Sequence, residues 1–306
     1  MTSELWPKIR LYSEEGFLIL RDGLSITFYT RHSHSEIAAG IRQSLELYLS
    51  AVEPNALGVY SDLDGYWQDL DSAAWENIWN ELRHPTQAHI KLADSLATQA
   101  RYRFIYHGSS FTPLPFIKDT STWVSAMSCR LPTEYLEERG TERVRELVMS
   151  LASCIPFCSG HAGLSLHAQT DILSLEKVSR AGANRYPGMD IPPSRLPFLK
   201  IGTKIDGVHW LNFLGPPVLN ELGGVAGLKA RLQSPTTTVQ EMEGGRAVVM
   251  LGEWPDAGDL EQGRTLPAYR ELARVLEPFR YQRHYFPNEH VPEELLRWER
   301  RFLDAP

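Results

Sequence analysis

The sequence predicts an α+β fold, antiparallel sheets with helices packed on them, on three observations. Short segments rich in β-branched and aromatic residues, such as 24–29 and 247–251, are flanked by turn residues. Between them, apolar residues recur at helical spacing, as in Ile37, Ile41, Leu45, Tyr48, Leu49 and Val52. Composition is globular, with 42% hydrophobic and 23% charged residues, 22 Gly and 20 Pro in 306, which excludes a disordered, collagen-like or coiled-coil chain.

Residues 17–20 and 24–29 surround Asp22-Gly23, a turn dipeptide that predicts a hairpin. Ser33 and Glu36 have capping-box spacing and open a helix that Pro54 ends. Leu57 and Val59 begin the next strand, and residues 73–82 and 86–96 read as two helices separated by Pro85. The middle of the chain repeats the order, with a strand over 122–130, a helix over 133–152 and a strand over 164–167. This recurrence is the mark expected of an internal duplication of a strand-helix-strand unit. A strand at 247–251, a helix at 267–276 stopped by Pro278 and a last helix at 292–303 follow, both helices opening on Pro, whose missing N–H costs nothing there. With no Ser/Gly linker, residues 1–306 are expected to form one domain, with subregions of about 1–110 and 111–306.

With 31 Lys and Arg against 38 Asp and Glu, the net charge is −7, which disfavours general binding to phosphate backbones. Three Cys cannot make a disulfide framework and fit a reducing compartment, so a cytoplasmic location is expected. The N-terminal residues lack the apolar run of a secretory signal, and no stretch reaches the ~20 apolar residues of a membrane span.

Cys154, Cys158 and His161, with His167 nearby, offer soft ligands of the kind zinc prefers. Pro156 interrupts the spacing and no second Cys pair exists, so Cys154 reads better as a small hydrophobe on a helical face. His32, Ser33 and His34 lack the context of a nucleophile, and Ser33 is better placed as a helix cap. Gly223, Gly224 and Gly227 match no phosphate-binding loop and read as a turn into a helix. No catalytic residue, metal or cofactor is therefore assigned.

Residues 43–82 hold Glu46, Glu53, Asp62, Asp64, Asp69, Asp71, Glu76 and Glu81 without one Lys or Arg, interleaved with Tyr60, Tyr66, Trp67, Trp75 and Trp79. One reading is a solvated acidic face with its aromatics turned inward. The other is a binding surface with aromatic anchors. A third, catalytic carboxylates at Asp62 and Asp64, lacks an accompanying His or Lys.

From Arg185 the chain reads Arg-Tyr-Pro-Gly-Met-Asp-Ile-Pro, then, from Ile201, Ile-Gly-Thr-Lys-Ile-Asp-Gly-Val-His-Trp-Leu-Asn-Phe-Leu, then, from Leu219, Leu-Asn-Glu-Leu-Gly-Gly. It resembles a bacterial family of type VI secretion immunity proteins associated with VRR-type nuclease toxins, best over residues 186–228, with the element order extending the likeness over most of the chain. Its motif residues Tyr186, Pro187, Gly188, Gly202, Gly207, Trp210, Gly223 and Gly224 read as structural: Pro187-Gly188 as a turn, Gly202 and Gly207 as brackets of a hairpin, Trp210 as core. His209 departs from the small polar residue, such as Asn, expected there. The resemblance implies a non-enzymatic protein that binds and neutralises a cognate toxin, a nuclease, in the cytoplasm, with no cofactor, nucleic acid or membrane partner. An acidic, aromatic-bearing inhibitor would also gain encounter rate against the positive surface of a nuclease. Asp62, Asp64, Tyr66, Trp67, Asp69 and Asp71 are the expected toxin-binding residues, because turn residues at Asp64-Gly65 place them on a loop. Two alternatives stand beside this reading: a metal-dependent or thiol hydrolase using Cys154, Cys158 and His161 or Asp62 and Asp64, and a structural or assembly component of the secretion apparatus.

Overall fold

The longest strand runs straight through the predicted hairpin turn. In the computed structural model, which describes residues 5–94, 101–113, 119–168, 184–191, 200–283 and 292–305, β1 (Arg10–Tyr12) pairs with β2 (Leu18–Thr30), and Asp22-Gly23 lies within β2. The turn propensity is overridden because both residues have tertiary partners. Buried Asp22 accepts from the Ile9 N–H at 2.8 Å and faces Arg10 and the Thr133 hydroxyl. Gly23 lies under the His167 ring, where any Cβ would collide.

The remaining strands are β3 (Val59–Ser61), β4 (Trp67–Asp69), β5 (Ala88–Ala93), β6 (Arg103–Gly108), β7 (Ser125–Pro132), β8 (Ser159–Ala168), β9 (Leu211–Leu214), β10 (Thr237–Met242) and β11 (Arg246–Leu251). They make one 11-stranded sheet in the order β10-β11-β9-β8-β2-β7-β6-β5-β3-β4, with β1 beside β2. The strand pairs are antiparallel, as the fold class requires. β5 corrects the helix expected at 86–96, of which 95–96 lie outside the described residues. Ala88, Ile90 and Leu92 are buried while His89 is exposed and Lys91 half-buried, the period-two alternation of a strand with one core face.

Helices α1 (His34–Ala51), α2 (Ser72–Leu82) and α3 (Thr133–Ser153) pack on one face of the sheet. The α1 start is as read: the Glu36 carboxylate accepts from the Ser33 N–H at 2.7 Å and the Ser33 hydroxyl at 2.6 Å. Asp71 caps α2 by accepting from the Ala74 N–H at 2.8 Å. Gly140, at φ +76°, breaks the α3 spiral within its span. Ile37, Ile41, Leu45, Leu147, Val148 and Leu151 meet Leu24, Ile26, Phe28, Phe104 and Leu131 of the sheet in the larger core.

The strand-helix-strand order does recur, as β2-α1-β3 and β7-α3-β8, and the two leading strands pair with each other at the centre. The strands that follow the helices are placed differently: β3 lies near one edge, whereas β8 lies directly beside β2. The halves therefore share element order but not strand placement.

Among the described residues the shorter helices α4 (Pro216–Glu221), α5 (Gly224–Ala230), α6 (Pro267–Leu276) and α7 (Glu293–Glu299) follow. Gly223, at φ +84°, turns the chain between α4 and α5 as expected. Residues of α4 to α6 build a second core on Leu214, Ala247, Val249 and Leu251, while their strand neighbours Phe213 and Val248 enter the first. The hairpin expected between Gly202 and Gly207 is not formed. Gly202 sits in a turn at φ +60°, and Ile205 bridges to the segment after α6, accepting from the Tyr281 N–H at 2.7 Å. Trp210, 1% exposed, is core as read. Pro187-Gly188 turns against the Asp256 carbonyl, which a Cβ on Gly188 would strike. Among the described residues no helix is long and apolar enough to cross a membrane.

Candidate functional site

The six acidic and aromatic residues singled out by the sequence lie on one hairpin and the helix it leads into. β3 and β4 pair in register, with Ser61 opposite Trp67 and Val59 opposite Asp69. Asp62 organises the loop between them. Its Oδ1 accepts from the backbone N–H groups of Asp64 at 3.1 Å and Tyr66 at 2.8 Å, and its Oδ2 from the Gln68 amide at 2.9 Å. That Gln68 bond, and then the loop N–H groups, hold the Asp62 carboxyl below its ordinary range. Gly65 supplies the positive φ, +89°, that the turn needs.

The roles within the segment thus divide. Asp62 and Asp71 spend their carboxylates on the loop and on the α2 cap. Asp64 and Asp69 are exposed and available. Tyr66 is 70% exposed, and the tip also presents Leu63 at 89%, a residue the sequence reading passed over because only acids and aromatics were sought. Trp67 is half-buried, with the Arg103 guanidinium 5.4 Å over its ring. Trp75 and Trp79 stack on each other at 5.7 Å and pack against the first core, so the inward reading holds for these two. Beneath the tip runs a cleft of ≈ 540 Å³ walled by Asp62, Leu63 and Asp64, by Ile78 and Glu81 of α2, and by β5. Its third wall was invisible to a reading that made β5 a helix.

The sheet separates the Cys and His candidates. Cys154 caps α3, bonded to the Ser150 carbonyl at 3.3 Å, and Cys158 is buried beside β2, its N–H donating to the Tyr29 carbonyl at 2.8 Å. Burial pushes both thiols up, away from the reactive thiolate. His161 belongs instead with Asp190 and His209, the one group among the described residues with three metal-binding side chains within reach of one another. The two imidazoles stack at 3.8 Å with planes 12° apart. Their lone pairs lie in near-parallel planes and cannot converge on one ion. The side chains face one another at ion-pair distances: Asp190 Oδ2 is 3.5 Å from His209 Nε2 and 3.9 Å from His161 Nε2, and its Oδ1 is 4.0 Å from Arg301. Burial alone would raise the Asp190 carboxyl, but His209, His161 and Arg301 outweigh it and hold it low. Burial and the charge of His209 push His161 well down. This is a buried polar cluster around the Asp190–Arg301 ion pair, and it ties β8 to the segments around it.

The second face of β6, β7 and β2 was not singled out by the sequence. Where Phe104, Cys129 and Ile26 enter the core, the alternate residues are Arg103, Ile105 and His107, then Arg130 and Ser128, then Ser25 and Thr27. Arg103, Ile105, Ser128 and Thr27 are half-buried, whereas Arg130, His107 and Ser25 are buried. Burial pushes the His107 imidazole down to about 3. The alternation of Arg103-Phe104-Ile105-Tyr106-His107 was the available signal for β6.

A family model described as TsiV, type VI immunity for VRR-NUC, matches residues 40–302. No curated protein matches the sequence. Among solved structures, the T6SS protein PA0821 of Pseudomonas aeruginosa is similar in fold, with a TM-score of 0.76 at 18% sequence identity, over 96% of this chain and 87% of that one.

Proposed function

From the premise that the chain belongs to the TsiV family of type VI immunity proteins for VRR-NUC, we propose that it binds a cognate VRR-NUC nuclease toxin in the cytoplasm and blocks it without chemistry of its own. The family match over 40–302 is the observation that carries this reading. The site chemistry agrees with it: the thiols are pushed up by burial, away from the reactive thiolate, and the imidazoles of His161 and His209 are stacked and buried.

The toxin-facing surface in this reading is the β3–β4 tip, with Asp64 and Asp69 as exposed charges, Tyr66 and Leu63 as apolar anchors, and Asp62, Trp67 and Asp71 holding the loop, its flank and the following helix in place. Exposed acids steer a basic partner and raise the association rate, while desolvated aromatic anchors set the dissociation rate. Co-expression with a candidate VRR-NUC toxin from the same genome tests the proposal. The expected outcome is a stable complex and survival of toxin-producing cells. Absence of both overturns it, and turnover of small substrates by the purified protein would overturn the non-enzymatic part.

A further inference from the structure

The two edges of the sheet are finished differently. β4 is three residues long, carries Asp69 and ends the sheet beside the acidic tip. β10, the opposite edge, runs for six residues, Thr-Thr-Val-Gln-Glu-Met, in unbroken register with β11. Short strands, bulges, Pro and Lys are the devices that keep an edge from pairing with another chain, and β10 has none of them.

Its open hydrogen-bonding groups can be named. The Gly252 N–H donates to the Thr236 carbonyl at 3.0 Å and the Leu251 N–H to the Trp210 carbonyl at 2.9 Å. Across the regular β10–β11 register, even-numbered residues of β10 therefore bond β11, and odd-numbered ones turn their N–H and C=O groups outward. The Thr237 N–H is taken by the Ser234 carbonyl at 3.1 Å, whereas among the described residues the N–H and C=O groups of Val239 and Glu241 have no partner. Thr238, Gln240 and Glu241 are exposed, and Val239 and Met242 half-buried.

We infer that a second copy of this chain adds at this edge, β10 against β10, antiparallel about a two-fold axis at Gln240. Val239 then lies opposite Glu241 of the second copy and Glu241 opposite its Val239, so the open groups of one strand meet those of the other. The side chains suit the same register. Gln240 faces itself across the axis, and its amide carries both donors and an acceptor. Thr238 faces Met242, and the one charge of the strand, Glu241, faces Val239 rather than its own copy. Open groups that complement themselves in this way are what an isologous contact requires, which favours a second copy over a foreign strand. Because β10 and β4 are opposite edges, the paired sheet leaves an acidic tip free at each outer end. The inference does not depend on the immunity reading.

Sedimentation velocity of the full chain across a concentration series tests this, with melting temperatures establishing that each variant is folded. The parent is expected to pass from the 34.7 kDa monomer to a particle of twice that mass. Exposed Gln240→Glu and Gln240→Lys each set like charges face to face at the axis. Each alone is expected to loosen the dimer roughly fivefold or more, and an equimolar mixture of the two to recover it as a heterodimer. Val239→Pro removes an outward N–H that the ladder to β11 does not use, and is expected to weaken pairing roughly tenfold or more. If it does not fold, the Gln240 variants carry the test. A parent that stays monomeric throughout overturns the inference, as does a dimer that neither Gln240 variant loosens or that their mixture fails to recover. A monomeric parent whose binding to a VRR-NUC toxin is lost in folded Val239→Pro overturns it in favour of a toxin strand at this edge.

Discussion

In the C-terminal half of the sheet, Leu214, Ala247, Val249 and Leu251 meet Leu219, Leu222, Leu272 and Leu276 and are sealed from solvent. Comparable positions in the N-terminal half carry Arg103, Ile105, Ser128 and Thr27, all half-buried. One half spends its second face on apolar burial, the dominant favourable term in folding. The other forgoes that stabilisation and holds guanidinium, imidazole and hydroxyl groups there, with the acidic tip at its outer edge. The difference lies in the second face alone, because the N-terminal half carries the larger core on its first face.

That contrast can be broken most directly by Leu272→Ala, which empties a fully buried position in the second core. A loss of about 2–5 kcal/mol is expected in chemical denaturation, with toxin affinity unchanged below the transition. An equal fall in affinity would mean that the halves are not separable. The converse test is Tyr66→Ala on the exposed tip. It should leave stability within about 0.5 kcal/mol while raising the toxin off-rate by roughly thirty-fold, the equivalent of a ~2 kcal/mol anchor. Trp67→Ala should raise the off-rate too, through loss of its packing on Arg103, and surface plasmon resonance distinguishes both from a parent-like tip.

Acid sensitivity sharpens the comparison through one buried imidazole on the second face of the N-terminal half. His107 in the N-terminal half is pushed down to about 3 by burial, so the unfolded chain takes up the proton first. Its contribution is fully present above about pH 6.5 and is lost as pH falls toward about 3, at about 1.4 kcal/mol per unit. Asp94, raised to about 6 by burial, acts in the opposite sense, because acidification from about 6 to about 4 neutralises a buried charge and restores stability. His107→Phe should therefore flatten the fall in unfolding free energy from urea denaturation between about pH 6 and 4 by about 1.4 kcal/mol per unit, leaving the parts due to His34, His89 and His161, whose imidazoles burial also pushes down. An unchanged slope would place the acid-labile group elsewhere. The smallest effect is expected of Asp69→Lys, an exposed edge charge. It should slow association several-fold at low salt and hardly at all near a Debye length of about 8 Å, as stopped-flow measurement at two ionic strengths would show.

Much of this was legible in the sequence wherever a local signal and the tertiary environment agree. The α1 cap, the Pro start of α6, the Gly223 junction and the core role of Trp210 all rest on short-range spacing. The Asp64-Gly65 loop is of the same kind, because Asp62 and Gly65 close it with their own atoms and backbone. Where the two disagree, tertiary partners prevail. Asp22-Gly23 carries a turn signal, but Arg10, Thr133 and His167 hold it in a strand. Residues 88–93 alternate as a strand, a pattern that a helical window hid.

By itself, then, the sequence determined the α+β class, most helix positions, the family likeness and the acidic tip, since each depends on residues a few positions apart. Only the tertiary structure decided that His161 meets Asp190 and His209 rather than Cys154 and Cys158, and that Arg103 lies opposite Arg130. Those juxtapositions are set by strand register across the sheet, and register depends on which distant segments can bury their apolar faces together.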